Sequence, residues 1–309
     1  MKPITQHPLN RREFITGSLA GLALAGLARS PVARAAESSA TGHSRTIKKG
    51  IMWGTVGVPG SVLDKMKAVK AAGFEGAEMN SHMDQDEVVQ ARDATGLIIP
   101  SVCGSKHWEK PLSHPDPKVR EEGLEALKQT LRDAKRYGAT SVLLVPAVVN
   151  QEVSYRDAYT RSQEEIRKAI PLAEEVGVKI AIENVWNQFL LSPLEAAAYV
   201  DEFKTKAVGW HFDVGNIINY GWPEQWIRVL GKRIQKLHIK EFSRKKRDNE
   251  GLWKGFDVQL MEGDDNWPAV MAALDDIGYD GWAITEQGGG DSPQGLRDLC
   301  GRLGKILAS

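Results

Sequence analysis

Lys179-Ile180-Ala181-Ile182-Glu183 is a short apolar run that ends on a carboxylate, and three later runs share its design. They are Val208–Asp213, which ends on Asp213, Ile234–Ile239, which carries His238, and Gly281–Glu286, which ends on Glu286. Each run has the length and composition of a strand that is buried on both faces. Parallel strands that end at one level bring their last side chains close together. The four runs therefore predict a parallel sheet with a site at its edge.

Four earlier runs extend the same strand-and-helix pattern. The candidate strands are Gly50–Gly57, Gly76–Met79, Ile98–Cys103 and Ser141–Val145. Asp116-Pro117 is typical of a helix start, and Pro193, Pro223 and Pro268 stand near the starts of later helices. Eight such units in roughly 260 residues predict an α/β fold, a single-domain (β/α)₈ barrel. A doubly wound open sheet is the alternative, but Gly54–Gly60 lacks the glycine pattern that usually follows its first strand.

Residues 1–35 predict a twin-arginine export signal. Arg11-Arg12 precedes a modestly apolar stretch, and Ala33-Arg34-Ala35 has the small-x-small pattern of a cleavage site. The apolar stretch is too short to anchor the chain in a bilayer. An ordinary secretory signal or a disordered tail is the alternative. We expect a signal at residues 1–35, a linker at 36–48 and a barrel at 49–309, with export by the twin-arginine machinery to the periplasm.

The composition excludes several classes of partner. The chain has 309 residues, 42% of them hydrophobic, a formal net charge of zero and two cysteines. Residues 1–35 carry five basic residues and one acidic residue, so the remainder has a formal charge near −4. We therefore expect no nucleic-acid partner and no stable membrane insertion. Two cysteines make no disulfide framework. The oligomeric state stays open, with a homo-oligomer as one option.

Glu183, Asp213, His238 and Glu286 form a candidate site for one divalent metal ion. They lie at the carboxyl ends of the last four predicted strands, where barrel active sites form. Three carboxylates and one imidazole are harder ligands than the Cys and His of structural zinc sites. The set favours Mn²⁺, with Mg²⁺, Co²⁺ or Zn²⁺ as alternatives. Each acid alone could equally form a salt bridge or a loop cap, but four at one level are hard to obtain by chance.

Four ordered motifs carry a resemblance to a known family: Ile182–Val185, Phe212–Asn216, Leu237–Glu241 and Thr285–Gln287. Over about residues 49–309 the chain resembles the xylose isomerase-like barrel superfamily, and more closely its sugar (phosphate) isomerase/epimerase group. That group includes ketose 3-epimerases and hydroxypyruvate isomerase. The resemblance implies that the four candidate ligands bind one metal ion, and that Glu183 and Glu286 also move protons on opposite sides of a sugar. Proton abstraction next to a carbonyl, through a metal-stabilised enediolate, would then isomerise or epimerise it.

The expected sugar contacts match this group less well. Asn216 replaces a substrate-binding histidine and Phe189 replaces an acidic residue, whereas Arg244 matches a substrate-binding arginine. Lys240 should face the same way as His238 and could donate to a substrate oxygen, or equally pair with a surface acid. The candidate substrate-binding residues are Lys240, Arg244, Asn216, Trp186, Glu78 and His107.

Two other functions stay open. Proton abstraction beside the keto group of a 3-keto-glycoside would expel the aglycone, which would make the protein a lyase. A non-catalytic periplasmic protein that binds a sugar or a metal is the second alternative. The zinc endonucleases of the same superfamily do not match, because Asn216, Gly251 and Trp253 stand where a His, an Asp and a His would be expected.

Overall fold

The computed structural model describes residues 46–309, and these form a closed barrel of eight parallel strands. Each strand pairs with the next one along the chain, and the last pairs with the first. The strands are β1 (Lys48–Met52), β2 (Gly76–Asn80), β3 (Ser101–Cys103), β4 (Ser141–Leu144), β5 (Lys179–Glu183), β6 (Val208–Asp213), β7 (Ile234–Ile239) and β8 (Trp282–Thr285). The predicted (β/α)₈ fold is confirmed, and the open doubly wound sheet is wrong.

Helices follow the strands and surround the barrel. In the described residues they are α1 (Val62–Ala71), α2 (Gln85–Thr95), α3 (Pro117–Tyr137), α4 (Tyr155–Val176), α5 (Pro193–Asp201), α6 (Gly215–Ile218), α7 (Pro223–Leu230), α8 (Arg244–Glu250), α9 (Trp267–Asp276) and α10 (Pro293–Leu307). Short 3₁₀ turns occur at Trp53–Thr55, Gly231–Arg233 and Leu252–Phe256.

The ends of α3 show how local sequence sets these boundaries. The Asp116 side chain accepts a hydrogen bond from the Lys118 N–H, and Pro117 occupies the first helical position, where its missing N–H costs nothing. Gly138 ends the helix with φ of 77°, a left-handed conformation that glycine adopts without a Cβ clash. The predicted helix start at Asp116-Pro117 is therefore confirmed.

Four strands are shorter than predicted: β4 by one residue, β8 by one residue at each end, and β1 and β3 by more. Ile98 makes only an isolated bridge to Gly76, and the pairing of β3 begins after Pro100, which has no N–H to donate. The first strand ends at Met52, because the chain turns there into the 3₁₀ segment Trp53–Thr55. By contrast, the bounds of β5, β6 and β7 are those that the sequence predicts.

The register of the last strands brings their polar ends level. Glu183 of β5 lies opposite His211 of β6, and Asp213 of β6 lies opposite His238 of β7. Side chains two residues apart on a strand share a face, so His211 and Asp213 both enter the barrel. The fold thus delivers the acidic and imidazole groups to the inner carboxyl end of the barrel.

The amino-terminal predictions fall largely outside the described residues. The export signal at residues 1–35 lies there entirely, as does most of the predicted linker. Ile47 is buried in the core and Lys48 opens β1, so the barrel begins slightly before the predicted residue 49. Within residues 46–309, no helix has the length and apolar character needed to cross a membrane.

Candidate metal centre and active-site cavity

The four candidate ligands lie together at the carboxyl end of the barrel. Glu183 ends β5, Asp213 ends β6, His238 lies near the end of β7, and Glu286 follows β8. One ligand atom from each lies within 4.8 Å of the others. His238 Nδ1 is 3.0 Å from Glu183 Oε1 and 3.2 Å from Glu286 Oε2. Because the strands end at the same height in the barrel, these side chains form one compact, mostly buried cluster.

Glu78 on β2 holds the His238 ring from the other side. His238 Nε2 is 2.7 Å from Glu78 Oε2, and the Ser101 hydroxyl donates to Glu78 Oε1 at 2.6 Å. An imidazole that donates through Nε2 keeps Nδ1 as its free nitrogen when neutral, and Nδ1 is the atom that faces Glu183 and Glu286. Such carboxylate–histidine pairs orient imidazole ligands in metal sites. Glu78 therefore positions His238.

His211 packs beneath this pair. Its ring centroid is 4.2 Å from that of His238, and its Nδ1 is 3.8 Å from Glu78 Oε1. The ring is fully buried, and neither nitrogen has a hydrogen-bond partner. Burial lowers the pKa of His211 well below its ordinary value, so the ring is neutral. It fills the barrel interior under the cluster.

Two asparagines fix Asp213. The Asn184 side-chain oxygen accepts from the Asp213 N–H at 3.0 Å, and its amide nitrogen donates to the Asp213 carbonyl at 2.7 Å. The Asn216 N–H donates to Asp213 Oδ1 at 2.8 Å, and its side-chain amide donates to the Asn184 carbonyl at 3.0 Å. These bonds leave Asp213 Oδ2 as the oxygen that faces the cluster.

Lys240 brings a positive charge into the same space. Its Nζ is 2.6 Å from Glu286 Oε2 and 3.2 Å from Asp213 Oδ2. It also lies 5.2 Å from the centre of the Phe256 ring, at the distance of a cation–π contact. The alternative of a surface ion pair for Lys240 does not describe this position, since the side chain is only 17% exposed.

Burial and charge act against each other on these groups. Burial raises the pKa of Glu183 to about 7 and also raises the pKa of Asp213. Burial opposes the charged forms of His238 and Lys240, but the surrounding carboxylates outweigh it and raise both pKa values. Burial would likewise raise the pKa of Glu286, but the charges of Lys240 and His238 lower it. A divalent cation among them would favour the ionised form of every carboxylate.

The cluster fits a hard divalent cation. Asp213 Oδ2 and Glu286 Oε2 are buried and receive no hydrogen bond of good geometry. Buried anionic oxygens are costly unless a cation or a donor faces them, and the Lys240 ammonium supplies one positive charge against three carboxylates. Three carboxylates with one imidazole are ligands of the kind that Mn²⁺ and Mg²⁺ accept. Glu183, Asp213, His238 and Glu286 could hold one such ion.

A cavity of about 510 Å³ opens above the cluster. Its polar floor includes Glu183, His238, Lys240 and Glu286. The other lining residues are Met52, Asn80, Cys103, Gly104, Ser105, His107, Trp108, Leu143, Val185, Trp186, Asn216, Trp253 and Phe256. A concave site with a few convergent polar groups and apolar walls is the usual form of a small-molecule site.

The predicted substrate-binding residues fall into two groups. Lys240, Asn216, Trp186 and His107 line the cavity. Glu78 and Arg244 are not among its lining residues. The Arg244 guanidinium donates to the carbonyls of Ile218 and Gly221, at 2.9 and 3.2 Å, and so binds the α6–α7 segment.

His107 presents a defined hydrogen-bond donor to the cavity. Its Nδ1 accepts from the Val145 N–H at 3.2 Å, so in the neutral ring the proton is on Nε2. Burial lowers the pKa of His107 to about 4, which keeps the ring neutral near pH 7.

Sequence reasoning did not assign Trp253 and Phe256 to the site. Trp253 and Phe256 come from the 3₁₀ turn after α8, and Trp108 comes from the loop after β3. The ring centroid of Trp186 lies 4.9 Å from those of both Trp253 and Phe256. The available signal was the aromatic run Leu252–Phe256 within the longest loop, since long loops after barrel strands cover the active-site mouth.

A family model described as xylose isomerase-like TIM barrel matches residues 66–305. L-ribulose-5-phosphate 3-epimerase of Escherichia coli O1:K1 is 24% identical over 238 residues, 72% of this chain and 81% of that protein. The protein of that name from Salmonella paratyphi C is 23% identical over the same shares.

Solved structures give the same picture of the fold. The 3-keto-D-glucoside 4-epimerase of E. coli aligns with a TM-score of 0.72 and 17% identity, over 85% of this chain and 100% of that chain. A D-psicose 3-epimerase aligns with a TM-score of 0.69 and 20% identity, over 85% and 100%. At these identities the likeness shows a shared barrel fold.

Proposed function

This chain belongs to the xylose isomerase-like TIM barrel family, and we propose that it is a divalent-metal-dependent isomerase or epimerase of a ketose or related keto-sugar. Its curated relatives are sugar epimerases, so the protein is an enzyme of that broad class. The observation that carries the proposal is the cluster of three carboxylates and one imidazole, within 4.8 Å of one another, on the floor of a cavity of about 510 Å³.

Glu183 and Glu286 are the proposed acid and base. They belong to β5 and to the end of β8, with β6 and β7 between them, so they reach the cavity from different sides. A carboxylate within reach of the carbon beside a carbonyl can accept its proton, an effect of typically ~10²–10⁴-fold. Return of the proton to the other face gives an epimer, and return to the neighbouring carbon gives an isomer.

Lys240 and His107 are the proposed cationic and neutral donors, respectively, to the sugar oxygens. The Lys240 ammonium lies where negative charge would develop on a substrate oxygen, and such fixed charges stabilise transition states in sites that exclude water. A divalent ion held by the four ligands would supply Lewis acidity toward the carbonyl oxygen. We propose Mn²⁺ as the native ion, because the donor set is hard and contains one nitrogen.

The test is solvent deuterium exchange. Mn²⁺-loaded protein is incubated in D₂O with a panel of ketoses and 3-keto-glycosides, and proton NMR follows the carbon next to each carbonyl. We expect deuterium to enter that carbon in at least one substrate. Glu183→Gln and Glu286→Gln should each lower the rate about 10²-fold or more, with sugar binding retained, whereas the surface variant Glu121→Gln should match the wild type.

The same spectra separate the alternatives. An epimer or isomer without bond cleavage supports the proposal, and release of a free aglycone would make the protein a lyase. No exchange in any substrate, combined with measurable binding, would overturn the enzymatic proposal in favour of a sugar-binding protein.

We further propose that the chain is exported to the periplasm by the twin-arginine machinery. The support is the sequence Arg11-Arg12 followed by an apolar stretch and the small-x-small pattern at Ala33–Ala35. Replacing both arginines by lysine should retain the protein in the cytoplasm. Unchanged periplasmic recovery of that variant would contradict this localisation.

A further inference from the structure

Two exposed tryptophans from different loops line the cavity above the candidate metal centre. Trp253 is 67% exposed and Trp108 is 52% exposed. Single exposed apolar side chains are ordinary on protein surfaces and need no explanation. Two large indole rings on the walls of the cavity that holds the candidate metal cluster are a different case, since together they offer apolar faces to a ligand.

Both rings are supported by aromatic neighbours. The Trp253 ring centroid lies 4.9 Å from that of Trp186 and 6.5 Å from that of Phe256. His107 meets Trp108 edge-on, with ring centroids 5.8 Å apart and an interplanar angle of 84°. Rings held in this way lose little freedom when a ligand stacks on them, which favours affinity.

The cavity is larger than one sugar ring requires. A hexose has the bulk of roughly six water molecules, or about 180 Å³ at ~30 Å³ each. The cavity volume is about 510 Å³. Its charged groups, Glu183, His238, Lys240 and Glu286, are gathered at the floor, while the exposed indoles belong to loops beyond the strand ends. A reacting sugar at the floor leaves the aromatic part of the cavity for something else.

We propose that Trp108 and Trp253 form a subsite for a second ring attached to the reacting sugar. The substrate is then a keto-glycoside, in which the ring at the floor carries the carbonyl and the outer ring stacks on indole. This inference rests on the proposed function and narrows its substrate class. The outer ring could be a second sugar or an aryl group, because both offer an apolar face to an aromatic side chain.

Matched ligands and variants test the subsite. Three 3-keto-β-D-glucosides, with methyl, phenyl and glucosyl at the anomeric oxygen, are titrated calorimetrically into Mn²⁺-loaded protein. The wild type should bind at least one two-ring ligand about ten-fold tighter than the methyl glycoside. Trp253→Ala should remove that advantage and leave methyl glycoside binding unchanged, and Trp253→Phe should restore part of it. A preference for phenyl over glucosyl, or the reverse, identifies the natural outer ring.

Trp222→Ala is the matched control. Trp222 is 57% exposed but is not among the cavity-lining residues, so this variant should keep the wild-type preference. Equal affinity of the wild type for all three ligands would overturn the subsite, as would equal losses for one-ring and two-ring ligands in Trp253→Ala. No binding by any of the three would also overturn it.

Deuterium exchange distinguishes this failure from failure of the proposed function. Exchange into a free ketose or into the methyl glycoside, without a two-ring preference, would leave the isomerase or epimerase in place and remove the subsite. A two-ring preference without exchange in any substrate would keep the subsite on a protein that only binds glycosides.

Discussion

Lys240 places a fixed positive charge among the same carboxylates that a divalent cation would use. Its Nζ lies 2.6 and 3.2 Å from oxygens of Glu286 and Asp213. At 4 Å, two unit charges interact by about 4 kcal/mol with an effective dielectric constant of about 20. The ammonium therefore stabilises the ion-free cluster and opposes the bound cation.

Replacing Lys240 should therefore change Mn²⁺ affinity and turnover in opposite directions. Lys240→Met should tighten Mn²⁺ binding by about ten-fold or more, because a competing charge is removed, while turnover falls by about 10²-fold with the loss of transition-state stabilisation. Calorimetric Mn²⁺ titration and the exchange rate measure the two. Lys232→Met, at an exposed lysine, serves as the control. Weaker Mn²⁺ binding in Lys240→Met would show instead that the ammonium organises the ligands.

His107 makes the stability of the protein depend on pH. Burial lowers its pKa from 6.5 to about 4. Between these pH values the unfolded chain binds more protons than the folded one. The free energy of unfolding is therefore unaffected by this group above about pH 6.5, and it decreases as pH falls toward 4. The ring is partly accessible to solvent, so we expect a loss of about 1 kcal/mol between pH 7 and pH 5.

Urea unfolding of His107→Asn at the two pH values tests this link. The asparagine oxygen can still accept from the Val145 N–H, but it does not titrate. The stability difference between pH 7 and pH 5 should therefore be about 1 kcal/mol smaller in this variant than in the wild type. His82→Asn, at an exposed histidine, should leave that difference unchanged. An identical pH dependence in His107→Asn would contradict the assignment.

The buried side-chain amide of Gln287 anchors the long loop after β7. The Gln287 side chain accepts from the Glu241 N–H at 2.7 Å and donates to the carbonyls of Phe256 and Val258, at 3.0 and 2.6 Å. The loop carries Trp253 and Phe256 into the cavity wall. Gln287 therefore connects the end of β8 to the aromatic part of the site.

Gln287→Ala should loosen this loop and weaken the fold. Three backbone groups lose their partner, at a cost of roughly 2–3 kcal/mol, which lowers the melting temperature by roughly 4–10 °C in a domain of this size. Hydrogen exchange should accelerate over residues 252–260 more than over the strands. Gln294→Ala, on the exposed side of α10, is the control. Protection of residues 252–260 at the wild-type level would exclude the anchoring role.

The strands were predictable and the loops were not, for one physical reason. A strand buried on both faces leaves a local record, a short and largely apolar run that carries an acidic or imidazole residue at or near its end, and β5, β6 and β7 have such runs. The shortening of β3 was readable too, since Pro100 cannot donate to a ladder. The aromatic wall depends instead on how the loop after β7 folds back onto Trp186; the aromatic run Leu252–Phe256 marks the loop, but it does not record those long-range contacts.

The direction of the Arg244 side chain could not be predicted from the sequence either. Counting residues from His238 suggests a side chain over the cavity, as in related motifs. In the structure, Ser243 begins α8 by accepting from the Lys246 N–H, and the Arg244 guanidinium binds loop carbonyls. Strand parity predicts a direction as far as Lys240, but beyond the end of β7 the backbone no longer alternates.

The candidate metal centre connects four neighbouring strands of the barrel. Its ligands come from β5, β6, β7 and the end of β8, while β2 contributes Glu78 behind His238. An ion that binds only the folded state adds its binding free energy to the stability of the fold. The apolar core of the described barrel is complete without it, so the ion should stabilise the fold rather than be required for folding.

Mn²⁺ should therefore raise the melting temperature in a saturable way. At a concentration 100 times Kd the gain is about 2.7 kcal/mol, which corresponds to roughly 5–10 °C, and EDTA should reverse it with no loss of near-UV circular dichroism. Asp213→Asn should abolish most of the shift, whereas Asp276→Asn, at an exposed position, should keep it. An equal shift in both variants would place the bound Mn²⁺ elsewhere on the protein. An unfolded apo-protein would mean that the carboxylate cluster destabilises the barrel more than its apolar core compensates.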